Sequence, residues 1–211
     1  MRRRAVLLLP LVAAACASDG PAQPDLPPPP LTFDHLMPLR LNVAEVRTEQ
    51  RWQPPGRAPN VDHLAPVPPV TALLRMAQER VFAGGASGVA TFVVQDASIT
   101  ATPIPSQSMF GSDGVRYEGR MMVRLEVRND DPPQSGYATA QVSRTLSLPD
   151  RPGASEQRRQ LDLMVRQMMA DMNIEFEYQV RRSLKEWLQL PSDAPAPAPV
   201  QQEDLTAPSR S

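Results

Sequence analysis

The sequence predicts a single α+β domain in which three or four strands form a mostly antiparallel sheet, packed against a short helix and a long C-terminal helix. Residues 115–128 alternate between apolar and polar types, broken only by Met122, which is the period of a half-buried strand. Residues 154–190 contain no proline or glycine and carry apolar residues every three or four positions, which predicts a helix. Most of the 25 prolines lie outside residues 71–190, so the core is framed by poorly packing ends. The predicted order is β-α-β-β-β-α.

The first strand is predicted at residues 39–44, where Leu39, Leu41 and Val43 alternate with polar or small residues. Pro38 places this strand at an edge of the sheet or at the strand's own start. Residues 53–69 form a long proline-rich loop, and loops of this length tend to be functional or mobile. We expect four residues to hold this loop on the body: Trp52, Val61, Leu64 and Val67.

The short helix is predicted over residues 70–83, and Gly84 and Gly85 would end it. Its apolar positions recur at helical spacing: Val70, Leu73, Leu74, Ala77 and Val81. Residues 89–100 are rich in β-branched and aromatic types, which predicts a central strand buried on both sides.

The next two strands are predicted as an antiparallel hairpin, residues 115–128 and 137–148, with a turn at residues 129–136. Val115, Tyr117, Gly119, Met121, Val123, Leu125 and Val127 would face the core. Charged residues occupy the other face of the first strand: Arg116, Glu118, Arg120, Arg124, Glu126 and Arg128. In the second strand, Arg144 interrupts the inward set.

The C-terminal helix is predicted over residues 154–190, with Ser155 as its cap. One apolar stripe runs along it: Leu161, Val165, Met168, Met172, Phe176, Val180, Leu184 and Trp187. At ~1.5 Å per residue the helix would be about 50 Å long, so we expect the end near Trp187 to overhang the sheet.

The N-terminus has the order of a secretory signal: Arg2 to Arg4, an apolar stretch, then small residues before Cys16, the only cysteine. The motif Ala13-Ala14-Ala15-Cys16 resembles the lipobox of bacterial lipoproteins. The resemblance implies cleavage of residues 1–15 and lipidation of Cys16; because Ala17 rather than aspartate follows, it also implies the periplasmic face of the outer membrane. A plain secreted protein with an incidental Cys16 is the alternative. Residues 16–30 would be a proline-rich spacer and residues 191–211 a disordered tail.

Charge and motifs exclude several classes of function. The formal charge of -1 argues against nucleic-acid binding. Nucleophile elbows, phosphate-binding loops and glycine-rich nucleotide fingerprints are missing from the sequence, so we expect no enzyme and no cofactor. The pairs Asp34–His35 and Asp62–His63 are a poor set of metal ligands and are better explained by solvent or local hydrogen bonds.

The outward arginines are either a solvated sheet face or a docking surface for an acidic partner, anionic headgroup or glycan. We expect partner contacts, if present, at Arg116, Arg120, Arg124, Arg128 and Trp187. Met164, Met168, Met169 and Met172 fit core packing better than an adaptable groove.

The order of elements after a lipobox is similar to that of lipopolysaccharide-assembly lipoproteins and of auxiliary lipoproteins of ABC-type lipid transport. The strings PNVDHLAPVPP and DMNIEFE look like those of uncharacterised alphaproteobacterial lipoproteins. A lipid anchor with a proline-rich spacer would hold the domain near a membrane and still give it reach toward a partner. We therefore expect a membrane-anchored, non-enzymatic accessory or assembly factor of an envelope complex for lipid or lipopolysaccharide transport, with a protein partner. A lipid- or glycan-binding module is the alternative.

Overall fold

The computed structural model describes residues 29–106 and 113–189. Within them the chain forms β1 (Leu39–Leu41), β2 (Glu45–Gln50), α1 (Pro69–Arg80), β3 (Val81–Ala83), β4 (Val89–Ile104), β5 (Gly114–Asp130), β6 (Pro133–Leu148) and α2 (Ala154–Ser183). Short 3-10 turns lie at Asp62–Leu64 and Lys185–Trp187. The predicted α+β class is confirmed, with one domain and two helices. The signal, Cys16, the spacer up to residue 28 and the C-terminal tail lie outside the described residues.

The main sheet has the strand order β2-β4-β5-β6, in which β2 and β4 are parallel and the other neighbours antiparallel. β1 and β3 pair in parallel as a separate two-stranded sheet. The single strand predicted at residues 39–44 is wrong, because the chain bends at residues 42–44 and enters β2. β2 escaped prediction because it is a polar edge strand, in which only Val46 packs against the core.

The predicted short helix is three residues too long, since α1 ends at Arg80 and Val81 is already extended. Val81 pairs with Leu39, so residues with high strand propensity leave the helix to form β3. Gly85 lies against the bend before β2, and its N–H donates to the Val43 carbonyl at 2.9 Å. A Cβ on Gly85 would be 2.6 Å from the carbonyl carbon of Asn42, so this close approach requires glycine.

The hairpin alternates as predicted: the inward residues of β5 are buried and its arginines point away from the core. The turn is shorter than predicted, because Asp130 pairs with Pro133 and only two residues connect the strands. The residues near this connection are polar because the ends of both strands extend into solvent. Strand ends without an apolar face have the composition of a turn, so the sequence predicts a turn that is too long.

Helix α2 covers the inner face of the sheet, which we define as the face bearing Val123 and Leu125. Phe176 of α2 meets Phe92 of β4 edge-to-face, with ring centroids 5.5 Å apart. The four methionines of α2 are buried in this layer, as predicted: Met164, Met168, Met169 and Met172. A Cβ on Gly119 would lie 2.6 Å from the Met168 sulfur, so sheet and helix are in direct contact there.

The C-terminal end of α2 differs from the prediction. The helix stops at Ser183, and Trp187 folds back to 8% exposure instead of overhanging. The Trp187 carbonyl accepts a hydrogen bond from the Asn42 N–H at 2.7 Å, which ties the C-terminal turn to the bend after β1. The helix cap is Gly153 rather than Ser155, and no side chain bonds to the free N–H groups there.

The long loop extends the sheet. The Val61 N–H donates to the Ile99 carbonyl, and the Ala101 N–H to the Pro59 carbonyl, both at 2.8 Å. These bonds cover the part of the β4 edge that β2 leaves free. Trp52, Val61 and Val67 pack on the core as expected, whereas Leu64 is 40% exposed. Neither helix of the described ranges has the length and apolarity needed to cross a membrane.

Candidate functional site

The outer face of the sheet, opposite α2, carries the four predicted arginines in one line along β5. Strand register places each arginine between neighbours from β4 and β6. Arg116 lies between Thr102 and Ser147, and Arg120 between Ser98 and Ser143. We call this surface the arginine face; its members on β5 are Arg116, Glu118, Arg120, Arg124, Glu126 and Arg128.

Arg124 is the most firmly held of the four arginines. Its Nε lies 2.8 Å from Glu126 Oε1, and its guanidinium carbon lies 3.7 Å above the ring centroid of Tyr137 on β6. An ion pair on one side and a cation–π contact on the other reduce the freedom of this side chain. Tyr137 itself is 56% exposed, so its ring remains accessible.

The other arginines are freer. Arg128 is 71% exposed and lies 3.5 Å from Asp130, and the Arg116 Nε donates to the Ser147 hydroxyl at 3.4 Å. Arg120 is exposed, and within the described part of the chain no ion pair involves it. Arg116 and Arg120 therefore have hydroxyl side chains as their cross-strand neighbours, with Glu118 between them on β5.

A concave region lies at the hairpin end of the arginine face. Its volume is about 650 Å³, and it is open to solvent. Arg47 from β2 borders one side and Tyr137 the other, with Thr91, Arg124, Glu126 and Arg128 between them. Three strands from different parts of the sequence thus bring three arginines and one tyrosine together.

Each arginine of this region is paired with a carboxylate two residues away on its own strand. Arg47 donates two hydrogen bonds to Glu45, at 2.8 and 2.7 Å. The hydrogen bond from Arg47 holds the pKa of the Glu45 carboxyl below its usual range. Because such exposed pairs contribute little to stability, a carboxylate of another molecule can replace Glu45 or Asp130 at small cost.

Trp187 does not belong to this surface. A Cβ on Gly136 would lie 3.5 Å from the Trp187 indole nitrogen, and Gly136 pairs with Val127 on the inner face. Trp187 therefore packs beneath the hairpin, on the side of the sheet opposite Arg128. The arginines and the tryptophan cannot form one continuous docking surface.

Sequence reasoning did not identify Arg47 or Tyr137 as members of the site. Arg47 was missed because β2 was not predicted. Tyr137 had a usable signal: it is two residues before the outward Thr139, so period-two alternation places it on the same face. Of the two histidine pairs, Asp34 and His35 are both exposed, whereas Asp62 is buried and His63 points outward. Within residues 29–106 and 113–189, no group of three or more His, Cys, Asp or Glu side chains is arranged so that it could hold a metal ion.

Comparison with known proteins gives little about activity. No protein-family model and no curated protein matches the chain. A solved structure of a minor lipoprotein from Acinetobacter baumannii is similar over 66% of this chain and 94% of its own length, with 12% identity and a TM-score of 0.31. A TM-score this low does not establish a common fold, so function has to be inferred from the chain's own residues.

Proposed function

We propose that this protein is a lipid-anchored, non-enzymatic accessory of a bacterial cell envelope, which binds an envelope protein partner through the arginine face. The observation that carries the proposal is the asymmetry of the sheet. Its inner face is buried under α2, whereas its outer face presents Arg47, Arg124, Arg128 and Tyr137 around one open concavity.

The composition of that concavity favours a protein partner. Arginine and tyrosine are enriched among the residues that dominate binding energy at protein interfaces. Arg124 is already fixed by Glu126 and Tyr137, so binding would lose little side-chain entropy there. The freer Arg128 could then exchange its exposed pair with Asp130 for an acidic side chain of the partner.

The anchor is the second part of the proposal. Cleavage before Cys16 and lipidation of its thiol, including palmitate, would place the domain on the periplasmic face of the outer membrane. Intact-mass analysis of the envelope fraction should give a chain starting at Cys16 with added acyl mass. A soluble periplasmic chain with an unmodified thiol would refute the anchor but leave the partner surface to be tested separately.

A glycan-binding role is the second candidate, because Tyr137 exposes an aromatic ring beside Arg124 and Glu126. A lipid-carrier role has less support. The contact between Gly119 and the side chains of Met164 and Met168 leaves no room for an acyl chain between β5 and α2. Mass spectrometry of lipids and glycans extracted from the purified protein separates these candidates from the accessory role.

The partner surface is tested by photo-crosslinking in intact cells. A photoreactive amino acid at Arg120 or Tyr137 should capture one envelope protein in stoichiometric yield. The same amino acid at Arg158, an exposed arginine of α2 on the other side of the sheet, is the matched control and should not capture it. Equal adducts from all three positions, or no protein adduct from the two outer positions of a folded chain, would refute the surface.

A further inference from the structure

The outward side of α2 carries an apolar stripe that nothing in the described chain covers. Seven large hydrophobic side chains are exposed among the described residues, and three of them lie on this helix: Leu163 at 42%, Ile174 at 73% and Tyr178 at 54%. With about 100° per residue, these three and the exposed Gln167 and Ala170 fall within an arc of roughly 80°. The stripe is opposite the buried face of α2.

The stripe is symmetric about its own centre. Leu163 lies as far before the midpoint between Ala170 and Asp171 as Tyr178 lies after it, and Gln167 and Ile174 are related in the same way. When a second α2 is laid antiparallel on the first with a two-fold axis at this midpoint, each Leu163 meets the other chain's Tyr178. The small side chain of Ala170 lies at the crossing and lets the helices approach closely.

The charges at the two ends determine the direction of the pairing. Glu156 lies in the first turn of α2 and Arg181 in the last, and both fall on the line of the stripe. An antiparallel pair brings Glu156 near Arg181 of the second copy, at both ends of the interface. A parallel pair would place Glu156 against Glu156 and Arg181 against Arg181, which is unfavourable.

We infer that two copies of this chain associate through an antiparallel pair of α2 helices, centred between Ala170 and Asp171. The association is isologous, because each copy uses the same surface. This inference goes beyond the proposed function and does not depend on it. The stripe and the arginine face lie on opposite sides of the domain, so a dimer would leave both arginine faces open.

Disulfide mapping tests both the association and its direction. The full chain with Cys16→Ser has no other thiol, so one introduced cysteine reports one position. Ala170→Cys should form a disulfide-linked dimer about tenfold faster than Arg158→Cys, the off-stripe control, since pairing raises the effective thiol concentration. Adding Ile174→Glu to the Ala170→Cys chain should return the rate to that of the control.

The ends of the stripe distinguish the two directions. Leu163 and Tyr178 are 15 positions apart (178 minus 163), or about 22 Å along the helix. In an antiparallel pair the two Leu163 positions are therefore far apart, and so are the two Tyr178 positions. Neither Leu163→Cys nor Tyr178→Cys should form a disulfide between two identical chains. A mixture of Leu163→Cys and Tyr178→Cys chains should link. Self-linking of Leu163→Cys would overturn the antiparallel geometry.

A membrane surface is the competing occupant of the stripe. Binding of the Cys16→Ser chain to phosphatidylethanolamine–phosphatidylglycerol vesicles, abolished by Ile174→Glu, together with an Ala170→Cys rate equal to the control, would overturn the dimer. Circular dichroism of every variant shows whether the domain remains folded.

Discussion

Arg80 of α1 and Glu177 of α2 form an ion pair of 2.6 Å, although the guanidinium of Arg80 is only 1% exposed. Arg80 also donates to the side-chain oxygen of Asn173 at 3.0 Å and to the Met37 carbonyl at 3.1 Å. One buried cation therefore joins both helices and the segment before β1. A buried charge is tolerated only when such partners satisfy it.

We expect Glu177→Gln to destabilise the domain by about 2 kcal/mol, because Arg80 would lose its carboxylate while staying buried. Glu175→Gln is the matched control on the same helix, where the carboxylate accepts a hydrogen bond from Gln179 at 2.8 Å. Urea unfolding monitored by circular dichroism measures the difference. Equal losses from the two variants would contradict the role assigned to the Arg80 pair.

The same pair predicts how stability changes in acid. Burial opposes ionisation of Glu177, but hydrogen bonds and charges of Arg80 and Arg181 outweigh it, so its pKa in the folded protein is below the ordinary value of 4.5. The Glu177 carboxyl therefore binds a proton more readily in the unfolded chain than in the folded one. The stabilisation that ionised Glu177 gives to the fold is present above pH 4.5 and decreases as the pH falls below that value. The stability difference between the natural chain and Glu177→Gln should therefore shrink from pH 6 to about pH 3.

Substitutions at two adjacent positions of β5 should differ greatly in how much they destabilise the domain. Val123 is completely buried, so Val123→Asp places an unpaired charge in the core and should unfold the domain, a loss of several kcal/mol. Arg124→Asp alters the outer face and should cost about 1 kcal/mol, since it removes one ion pair and one cation–π contact. Thermal unfolding compares them, and similar losses would contradict the strand register.

Three glycines should differ in their tolerance of alanine. At Gly85 a Cβ would meet backbone atoms of Asn42 and Val43, so Gly85→Ala should cost about 3 kcal/mol. At Gly119 the new methyl meets the flexible ends of Met164 and Met168, which can move, and the cost should be about 1 kcal/mol. Gly153 has no neighbour within 4 Å and is the control. Chemical unfolding should give this order; a larger loss at Gly119 than at Gly85 would contradict it.

Arg144 protects the open edge of the sheet. It points to the inner face of the edge strand β6, is 41% exposed, and its Nη1 lies 3.4 Å from Asp171 of α2. Inward charges on edge strands hinder pairing with a strand of another molecule. Arg144→Val should increase aggregation in light scattering, whereas Ser143→Val, on the outer face of the same strand, should increase it less.

The elements with a clear apolar period could be predicted from the sequence alone. β5, β6 and most of α2 each have an internal pattern that reports which side is buried. The composition of β4 predicted a strand buried on both sides, whereas most of its outward residues are only partly buried. The same alternation placed Arg116, Arg120, Arg124 and Arg128 on the outer face. The predicted signal sequence and the predicted lipidation of Cys16 also depend only on residues close together in the chain.

Only the tertiary structure decided the features that depend on distant residues. β2 is held by hydrogen bonds to β4, and Val81 leaves the helix because Leu39 offers a strand to pair with. The burial of Arg80 required Glu177, 97 positions away, and the site beside Tyr137 required Arg47 from another strand. Trp187 has the spacing of a helical stripe, yet the chain turns at Ser183 and packs it under the hairpin. Local periodicity determines which side of a helix or strand is apolar. Which other element packs against that side depends on contacts between residues that are far apart in the sequence.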